Sequence, residues 1–267
     1  MTDLQDMINA YKEDGLATDL AAARVCQDIV LLAISKGPLS RNVTIKGGVV
    51  MRSITNNNRR ATRDIDLDLI HYPLSDEGIR IFVERMNCLD GINISIDGDI
   101  EELKHQDYHG KSIKVLIKDS QGTKISSKID IGVHTHFEIE QDQYCFDVCM
   151  DDNGASLLKN KVEQSFAEKL RSLLIFGYNS RRYKDIYDMY YLKDIVDKDK
   201  VRAAIKLFIF DDVEIRENDY DSIIRRVENS FKDKEYLRRI SYSRQRWFDD
   251  DIETITSGIL AWLKDLK

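Results

Sequence analysis

Asp64 and Asp66, separated by one residue, are the pair whose type and spacing best suit chemistry. They lie in the run DIDLDLI, which alternates strictly between acidic and apolar residues. Because successive side chains of a strand point to opposite faces, a strand here would place both carboxylates on one face. Carboxylate oxygens suit Mg²⁺ (or Mn²⁺), and Mg²⁺ commonly keeps substrate phosphates as further ligands. The pair therefore predicts a metal site for phosphate chemistry, although such pairs are more often simply solvated.

A third acid, Asp130, lies in a later alternating run, Lys128-Ile129-Asp130-Ile131. On a neighbouring strand it would allow two metal ions, one activating an attacking hydroxyl and one stabilising a leaving pyrophosphate. Asp68 shares the face of the first pair, and burying several carboxylates without a cation is very costly. We therefore expect a face that is either open to water or bound to metal. The alternative role of Asp130 is a structural acid bonded to an arginine.

A glycine pair, Gly47-Gly48, comes between a predicted strand at 43–45 and a predicted helix at 49–54. Such a turn lets backbone N–H groups at a helix N-terminus approach a phosphate. Positive charge follows within a few residues, and it is supplied by Arg52, Arg59, Arg60 and Arg63. The ordered set of a glycine turn, a D-x-D pair and a later strand acid is more specific than any of its parts.

Two further candidate segments lie in the second half of the chain. Glu168-Lys169 falls in an amphipathic helix, and a charged run extends from Arg181 to Asp188. Taken alone, these residues are typical of a solvated helix face with i, i+4 ion pairs. Trp247-Phe248, near two arginines, favours a core-facing aromatic pair over a platform for RNA bases.

The elements that must position these residues divide the chain into two parts. Residues 1–152 mix helices with strands, and residues 153–267 are predicted to be helical, starting near Ala155. The strands are predicted at 64–70, 92–96, 112–117, 124–133 and 144–149. A helix at 75–86 is predicted to begin with Ser75 as its N-cap. The fold class is therefore an α/β (α+β) core with a mixed sheet, followed by a helical C-terminal domain.

Composition limits the classes of function. The chain has 267 residues and a formal net charge of −7, which argues against a general nucleic-acid coat protein. Basic residues nevertheless concentrate at 159–184 and 220–246. No stretch approaches the roughly 20 apolar residues of a membrane span, and the N-terminus lacks the order of a signal peptide. We therefore expect a cytoplasmic protein with reduced cysteines and no membrane partner.

The order of these segments resembles the AbiEii/AbiGii family of nucleotidyltransferase toxins, within the DNA polymerase β-like nucleotidyltransferase superfamily. The resemblance covers about residues 20–195. Its pieces are Gly47-Gly48 with Arg52, Arg60-x-Thr62-x-Asp64-Ile65-Asp66, Lys128-Ile129-Asp130, Ala167-Glu168-Lys169-Leu170 and Arg182-x-Lys184-Asp185-x-x-Asp188. The superfamily often has Gly-Ser in the first piece, where this chain has Gly47-Gly48.

The resemblance implies a role for each matching residue. Asp64 and Asp66 would bind metal, Lys169 would bind the triphosphate, and Asp185 would be an essential acid near the nucleotide. Thr62 would place a hydroxyl near the phosphates. It also implies a nucleoside triphosphate substrate, an RNA acceptor such as the tRNA 3′ end, and a cognate antitoxin. Arg52 and Arg60 would help to neutralise the triphosphate.

Two other readings of the sequence stay open. In the first, the chain is a catalytically idle module that binds RNA or protein through the basic stretches of its helical half. In the second, it is a small-molecule nucleotidyltransferase that uses the same site with a different acceptor pocket.

Overall fold

A computed structural model describes residues 3–103 and 110–267 of the chain. These residues form two compact units, of which the first ends at Asn160 and the second begins at Lys161. Each unit has its own buried apolar residues.

Within its described residues, the first unit contains four α-helices and eight strands. The helices are α1 (Leu4–Glu13), α2 (Thr18–Lys36), α3 (Gly47–Thr55) and α4 (Asp76–Arg85). The strands are β1 (Val43–Lys46), β2 (Ile65–Leu69), β3 (Ile92–Ile96), β4 (Glu101–Glu102), β5 (Lys111–Asp119), β6 (Lys124–Val133), β7 (Asp142–Val148) and β8 (Asp151–Lys159). A short 3₁₀ turn, Asn58–Arg60, precedes β2.

All eight strands belong to one mixed sheet with the order β3-β5-β6-β2-β1-β8-β7, and β4 pairs with β5. The β1–β8 and β2–β6 pairs are parallel, and the other pairs are antiparallel. The predicted mixed sheet is therefore confirmed. Strand β2 lies in its interior, between β1 and β6.

The two faces of the central strands differ in character because their sequences alternate. Ile65, Leu67 and Leu69 of β2 are fully buried and share one apolar cluster with Ile45 of β1 and with helix α2. Helix α2 is largely apolar along its length and packs on the sheet. The opposite face of β2 carries its acids, which is the arrangement that the alternation predicts.

Helix α4 begins where its cap chemistry predicts. The Ser75 side chain accepts a hydrogen bond from the Gly78 N–H at 3.1 Å, and two acids follow in the first turn. This geometry confirms Ser75 as the N-cap.

The second unit is helical throughout its regular structure. Its helices are α5 (Val162–Phe176), α6 (Tyr183–Leu192), α7 (Lys198–Ile205), α8 (Tyr220–Lys232), α9 (Lys234–Ser241) and α10 (Ile252–Leu266). A π-helical turn, Lys206–Phe210, extends α7. The predicted helical C-terminal part is confirmed.

The expectation of a helix from Ala155 was wrong, because residues 151–159 form strand β8 and α5 starts only at Val162. Leu158 lies four residues before Val162, so its position matches the helical period of α5 by coincidence and made the helix look longer at its N-terminal end. In the structure Ala155, Leu157 and Lys159 are buried at every second position, as a strand requires.

Candidate active site

The Gly47-Gly48 turn lies directly against Asp66. Gly47 has a φ of +62°, which residues with a Cβ atom rarely adopt. A Cβ on Gly47 would overlap the Asp66 carboxylate and lie 2.7 Å from its Cγ. A Cβ on Gly48 would lie 2.7 Å from the Cβ of Thr62. Both positions therefore require glycine, and close contact holds the start of α3 against β2 and the segment before it.

Helix α3 begins at this turn, and no side chain caps its N-terminus. The Gly48 N–H is directed at Asp66 Oδ2, with an N···O distance of 3.4 Å. Amides at a helix N-terminus carry partial positive charge and favour anions. The turn therefore presents the features predicted for a phosphate site, immediately beside a carboxylate.

Asp66 and Asp130 are direct neighbours across the sheet. The parallel pairing of β2 with β6 sets Asp66 opposite Asp130, and the antiparallel pairing with β1 sets Asp66 opposite Lys46. Asp64 immediately precedes β2 and is exposed. The structure thus brings the predicted acids Asp66 and Asp130 together, with Asp64 at the exposed end.

The electrostatic environment of Asp66 disfavours its charged form. Burial raises the pKa of Asp66, and the negative charges of Asp130 and Asp64 raise it further. Lys46 and the Gly48 N–H act in the opposite direction. A group of close carboxylates in this state is stabilised by a bound cation.

Two lysines supply positive charge on this face. Lys46 Nζ lies 2.6 Å from Asp68 Oδ1, and both side chains are more than nine-tenths buried. The expectation that the acids must be either solvated or metal-bound is therefore wrong for Asp68, which is paired with an ammonium group. Lys128 Nζ lies 2.9 Å from Asp130 Oδ2. Asp130 is thus bonded to a lysine, where the structural alternative expected an arginine.

The donor set fits a hard divalent cation. Asp130 is 5% exposed, and its Oδ1 atom has no hydrogen-bond partner among the described residues. Buried polar atoms without partners are rare and call for a ligand, ion or water. Among residues 3–103 and 110–267, however, no three acidic, histidine or cysteine side chains form a ready metal cluster. Asp66 and Asp130 therefore offer two protein ligands, and further ligands would have to come from substrate, water or movement of Asp64.

Arg52 is placed beneath the surface. It is 8% exposed, and its Nη1 donates to Gln27 Oε1 at 2.9 Å. Gln27 Nε2 in turn donates to the Thr62 carbonyl at 2.9 Å. Burial and the nearby Arg24 lower the pKa of Arg52 to about 10, which Asp28 partly offsets. The observed contacts join Arg52 to the Thr62 segment.

A cavity of about 270 Å³ borders this network. Arg52, Thr62 and Tyr144 contribute to its wall. The Arg52 atoms Nε and Nη2 have no hydrogen-bond partner among the residues that the structure describes. Arg60 is also buried, at 3% exposure, on the 3₁₀ turn before β2. Binding of phosphate by Arg52 and Arg60 stays a prediction.

In the second unit, Lys169 lies between two acids. Its Nζ is 2.9 Å from Asp185 Oδ1 and 2.8 Å from Asp188 Oδ2. Asp185 and Asp188 lie three residues apart on α6 and therefore face the same side of that helix. The side chain of Asp188 is fully buried, whereas that of Asp185 is 16% exposed. The structure thus joins the two predicted residues Lys169 and Asp185.

Trp247 completes this cluster. Its indole N–H donates to Asp188 Oδ1 at 3.2 Å, and the residue is 3% exposed. The core-facing expectation for Trp247 is confirmed. Its ring also packs near Tyr191 and Phe248, at centroid distances of 5.8 and 4.5 Å.

Sequence reasoning missed Lys46 and Gln27, and it did not predict the partners of Lys128 and Trp247. Lys128 lies two positions before Asp130 on one strand, so period two could have predicted that they share a face. The partners of Lys46, Gln27 and Trp247 are distant in the chain, so local spacing carried no signal for them.

The mixed sheet with paired carboxylates beside a glycine turn is the arrangement that the resemblance to nucleotidyltransferases implies. Residues 29–250 match the family described as "Nucleotidyl transferase AbiEii toxin, Type IV TA system". The chain belongs to this AbiEii family and is a nucleotidyltransferase.

Two solved structures are similar to the chain. One is a putative nucleotidyltransferase from H. pylori, with 14% identity, a TM-score of 0.53, and coverage of 94% of this chain and 95% of that one. The other is an antigenic nucleotidyltransferase-like protein from Paracoccidioides brasiliensis, with 12% identity, a TM-score of 0.45, and coverage of 80% and 92%. The first supports the fold. No curated protein matches the chain.

Within the described residues, no helix is both long and apolar enough to cross a bilayer.

Proposed function

We propose that this AbiEii nucleotidyltransferase moves a nucleotide from a nucleoside triphosphate to a hydroxyl of an RNA acceptor, such as the tRNA 3′ end. The observation that carries the proposal is the direct pairing of Asp66 with Asp130 beside the Gly47-Gly48 turn. Membership of a toxin family supports a cognate antitoxin as a partner.

Asp64, Asp66 and Asp130 would hold Mg²⁺ or Mn²⁺. When bound, the ion would supply charge stabilisation for the phosphates and acidify the attacking hydroxyl. The unpartnered Asp130 Oδ1 and the raised pKa of Asp66 support this assignment. Asp64, the exposed acid of the group, is the one with freedom to reorient toward a ligand.

The remaining residues would bind and orient the nucleotide. The amides at the start of α3 would donate to phosphate oxygens, with the Thr62 hydroxyl close to Gly48. Lys169 would neutralise the triphosphate, and Asp185 would hold the Lys169 ammonium or accept a proton. Arg60 would add positive charge, and Arg52 would hold the Thr62 segment in place through Gln27. Positioning and charge stabilisation account for most of the catalysis in phosphoryl transfer.

The charge of the helical unit favours catalysis over an idle binding module. Several basic residues of the stretches 159–184 and 220–246 are bonded to neighbouring groups of their own unit. In the helical unit, Lys169, Arg171 and Arg238 pair with acids, and Arg226 and Arg239 donate to backbone carbonyls. A basic face open to RNA is therefore smaller than the sequence suggested.

A label-transfer assay tests the proposal. Purified protein is incubated with Mg²⁺, each of the four α-labelled nucleoside triphosphates in turn, and total cellular RNA. We expect label on a tRNA-sized band, and none with Asp64→Ala or Asp66→Ala. Asp97→Ala is the matched control, because Asp97 is an acid of the same unit that pairs with Lys114 and not with a residue of the proposed site.

Other outcomes would contradict specific parts of the proposal. Label on small molecules without RNA would favour a small-molecule acceptor. No label with any triphosphate, together with RNA binding in metal-free buffer, would favour the idle module. Full transfer by Asp66→Ala would overturn the assignment of the site.

A further inference from the structure

The Lys169 ammonium is held by two carboxylates that differ in access to solvent. The Asp185 side chain is partly exposed, so it can meet a bound nucleotide. The Asp188 side chain is fully buried, so it is shielded from any ligand in solution. Asp188 therefore acts through the residues that it touches.

A buried carboxylate must have its oxygens satisfied by donors, because its desolvation is otherwise very costly. Lys169 Nζ lies 2.8 Å from Asp188 Oδ2. The indole N–H of Trp247 donates a hydrogen bond to the other oxygen, Oδ1, with an N···O distance of 3.2 Å. Tryptophan nitrogen is a donor only, so this bond favours the charged carboxylate.

The segment that carries Trp247 is itself fixed. The Arg246 guanidinium donates to the carbonyls of Phe248, Asp249 and Asp250 at 2.8, 2.7 and 2.9 Å. Trp247 is also buried against Tyr191 of α6. The indole N–H therefore has little freedom to leave Asp188.

We propose that Trp247 is a positioning residue of the nucleotide site: it fixes Asp188, and Asp188 holds the Lys169 ammonium in place for a triphosphate. This inference rests on the proposed function, in which Lys169 binds the triphosphate. Without the indole donor, Asp188 Oδ1 loses a hydrogen bond, so the carboxylate can rotate and displace the Lys169 ammonium from its position beside Asp185. Triphosphate binding then weakens while the carboxylate pair of the first unit is untouched.

The direct test measures binding of inorganic triphosphate with Mg²⁺ by calorimetry, which avoids the unknown base. Trp247→Phe should weaken binding about tenfold, as expected for one lost hydrogen bond to a charged group. Trp262→Phe is the matched control, because Trp262 belongs to the same unit and packs on Phe166. The control should bind as the native protein does.

Kinetics separate positioning from general damage. Lys169 contacts the triphosphate in both ground and transition states, so Trp247→Phe should raise KM for the triphosphate and change kcat little. A second variant replaces the Trp247 indole by benzothiophene, which removes only the N–H donor. It should reproduce the KM effect with an unchanged melting temperature, even where Trp247→Phe folds poorly.

The outcomes distinguish this inference from the proposed function. Unchanged triphosphate binding by both Trp247 variants would overturn the positioning role while label transfer stayed intact. Failure of the native protein to bind inorganic triphosphate would overturn it as well. Absence of label transfer by the native protein would instead contradict the proposed function itself.

Discussion

Asp66 and Asp130 lie side by side on the parallel strands β2 and β6, and Gly47 leaves room for the Asp66 carboxylate. The two charges repel each other, and burial raises the pKa of Asp66. This repulsion lowers the stability of the metal-free protein, and a bound cation would relieve it. This trade between stability and function gives the first prediction.

Asp66→Asn should stabilise the metal-free protein at neutral pH by about 1 kcal/mol, a rise in melting temperature of about 2–4 °C. The folded pKa of Asp66 is raised, so the native state loses stability as the pH rises from the usual aspartate value through that raised pKa. The substitution removes this part of the pH dependence. Thermal melts across pH in EDTA check the prediction.

The same variant should lose divalent-metal binding and label transfer. Asp97→Asn, at an exposed ion pair, should leave the pH profile of stability, metal binding and label transfer unchanged. A lower melting temperature for Asp66→Asn would show that the carboxylate has a structural partner that outweighs the repulsion.

Gly47→Ala should abolish transfer and destabilise the protein by about 2–3 kcal/mol, because the new Cβ adopts a left-handed φ and collides with the Asp66 carboxylate. Gly122→Ala is the matched control: φ is +93° there and no atom lies within 4 Å of the added Cβ. The control measures the cost of φ alone. Equal losses of stability in urea unfolding would contradict a collision at Gly47.

Lys128→Met should tighten the binding of Mn²⁺ several-fold. Lys128 is bonded to Asp130, and the charges of Asp64 and Asp66 also raise its pKa, so its ammonium competes with a metal ion for the same carboxylates. Calorimetric titration with Mn²⁺ measures the effect without depending on turnover.

Lys114→Met provides the control for Lys128. Lys114 lies opposite Lys128 in the sheet register but pairs with Asp97. It should leave the affinity for Mn²⁺ unchanged. Weaker binding by Lys128→Met would mean that this lysine supports the metal site and does not compete with the ion.

The sequence predicted those parts of the site that depend on local spacing. Period two placed Asp66 on the polar face of β2, and the glycine pair marked the start of α3. Local spacing could not predict the long-range pairing of strands, because the register of β2 with β6 joins Asp66 to Asp130 across more than sixty positions. The alternation in β8 was missed because its last apolar residue matched the helical period of α5.

Gln27 distinguishes two roles of Arg52: holding the Thr62 segment in place or binding phosphate directly. It lies fully buried on α2, accepts from Arg52 and donates to the Thr62 carbonyl. If Arg52 acts by holding the Thr62 segment, removal of Gln27 should impair transfer as strongly as removal of Arg52. If Arg52 binds phosphate directly, only the arginine should matter.

Gln27→Leu should destabilise the protein by about 2–3 kcal/mol, because the Arg52 guanidinium and the Thr62 carbonyl each lose a partner in a buried site. We expect its loss of label transfer to match that of Arg52→Met, measured well below both melting temperatures. Gln143→Leu is the control, because Gln143 bonds to the Ser156 hydroxyl at a more exposed position. Normal transfer by Gln27→Leu with a defect only in Arg52→Met would assign Arg52 to the phosphates.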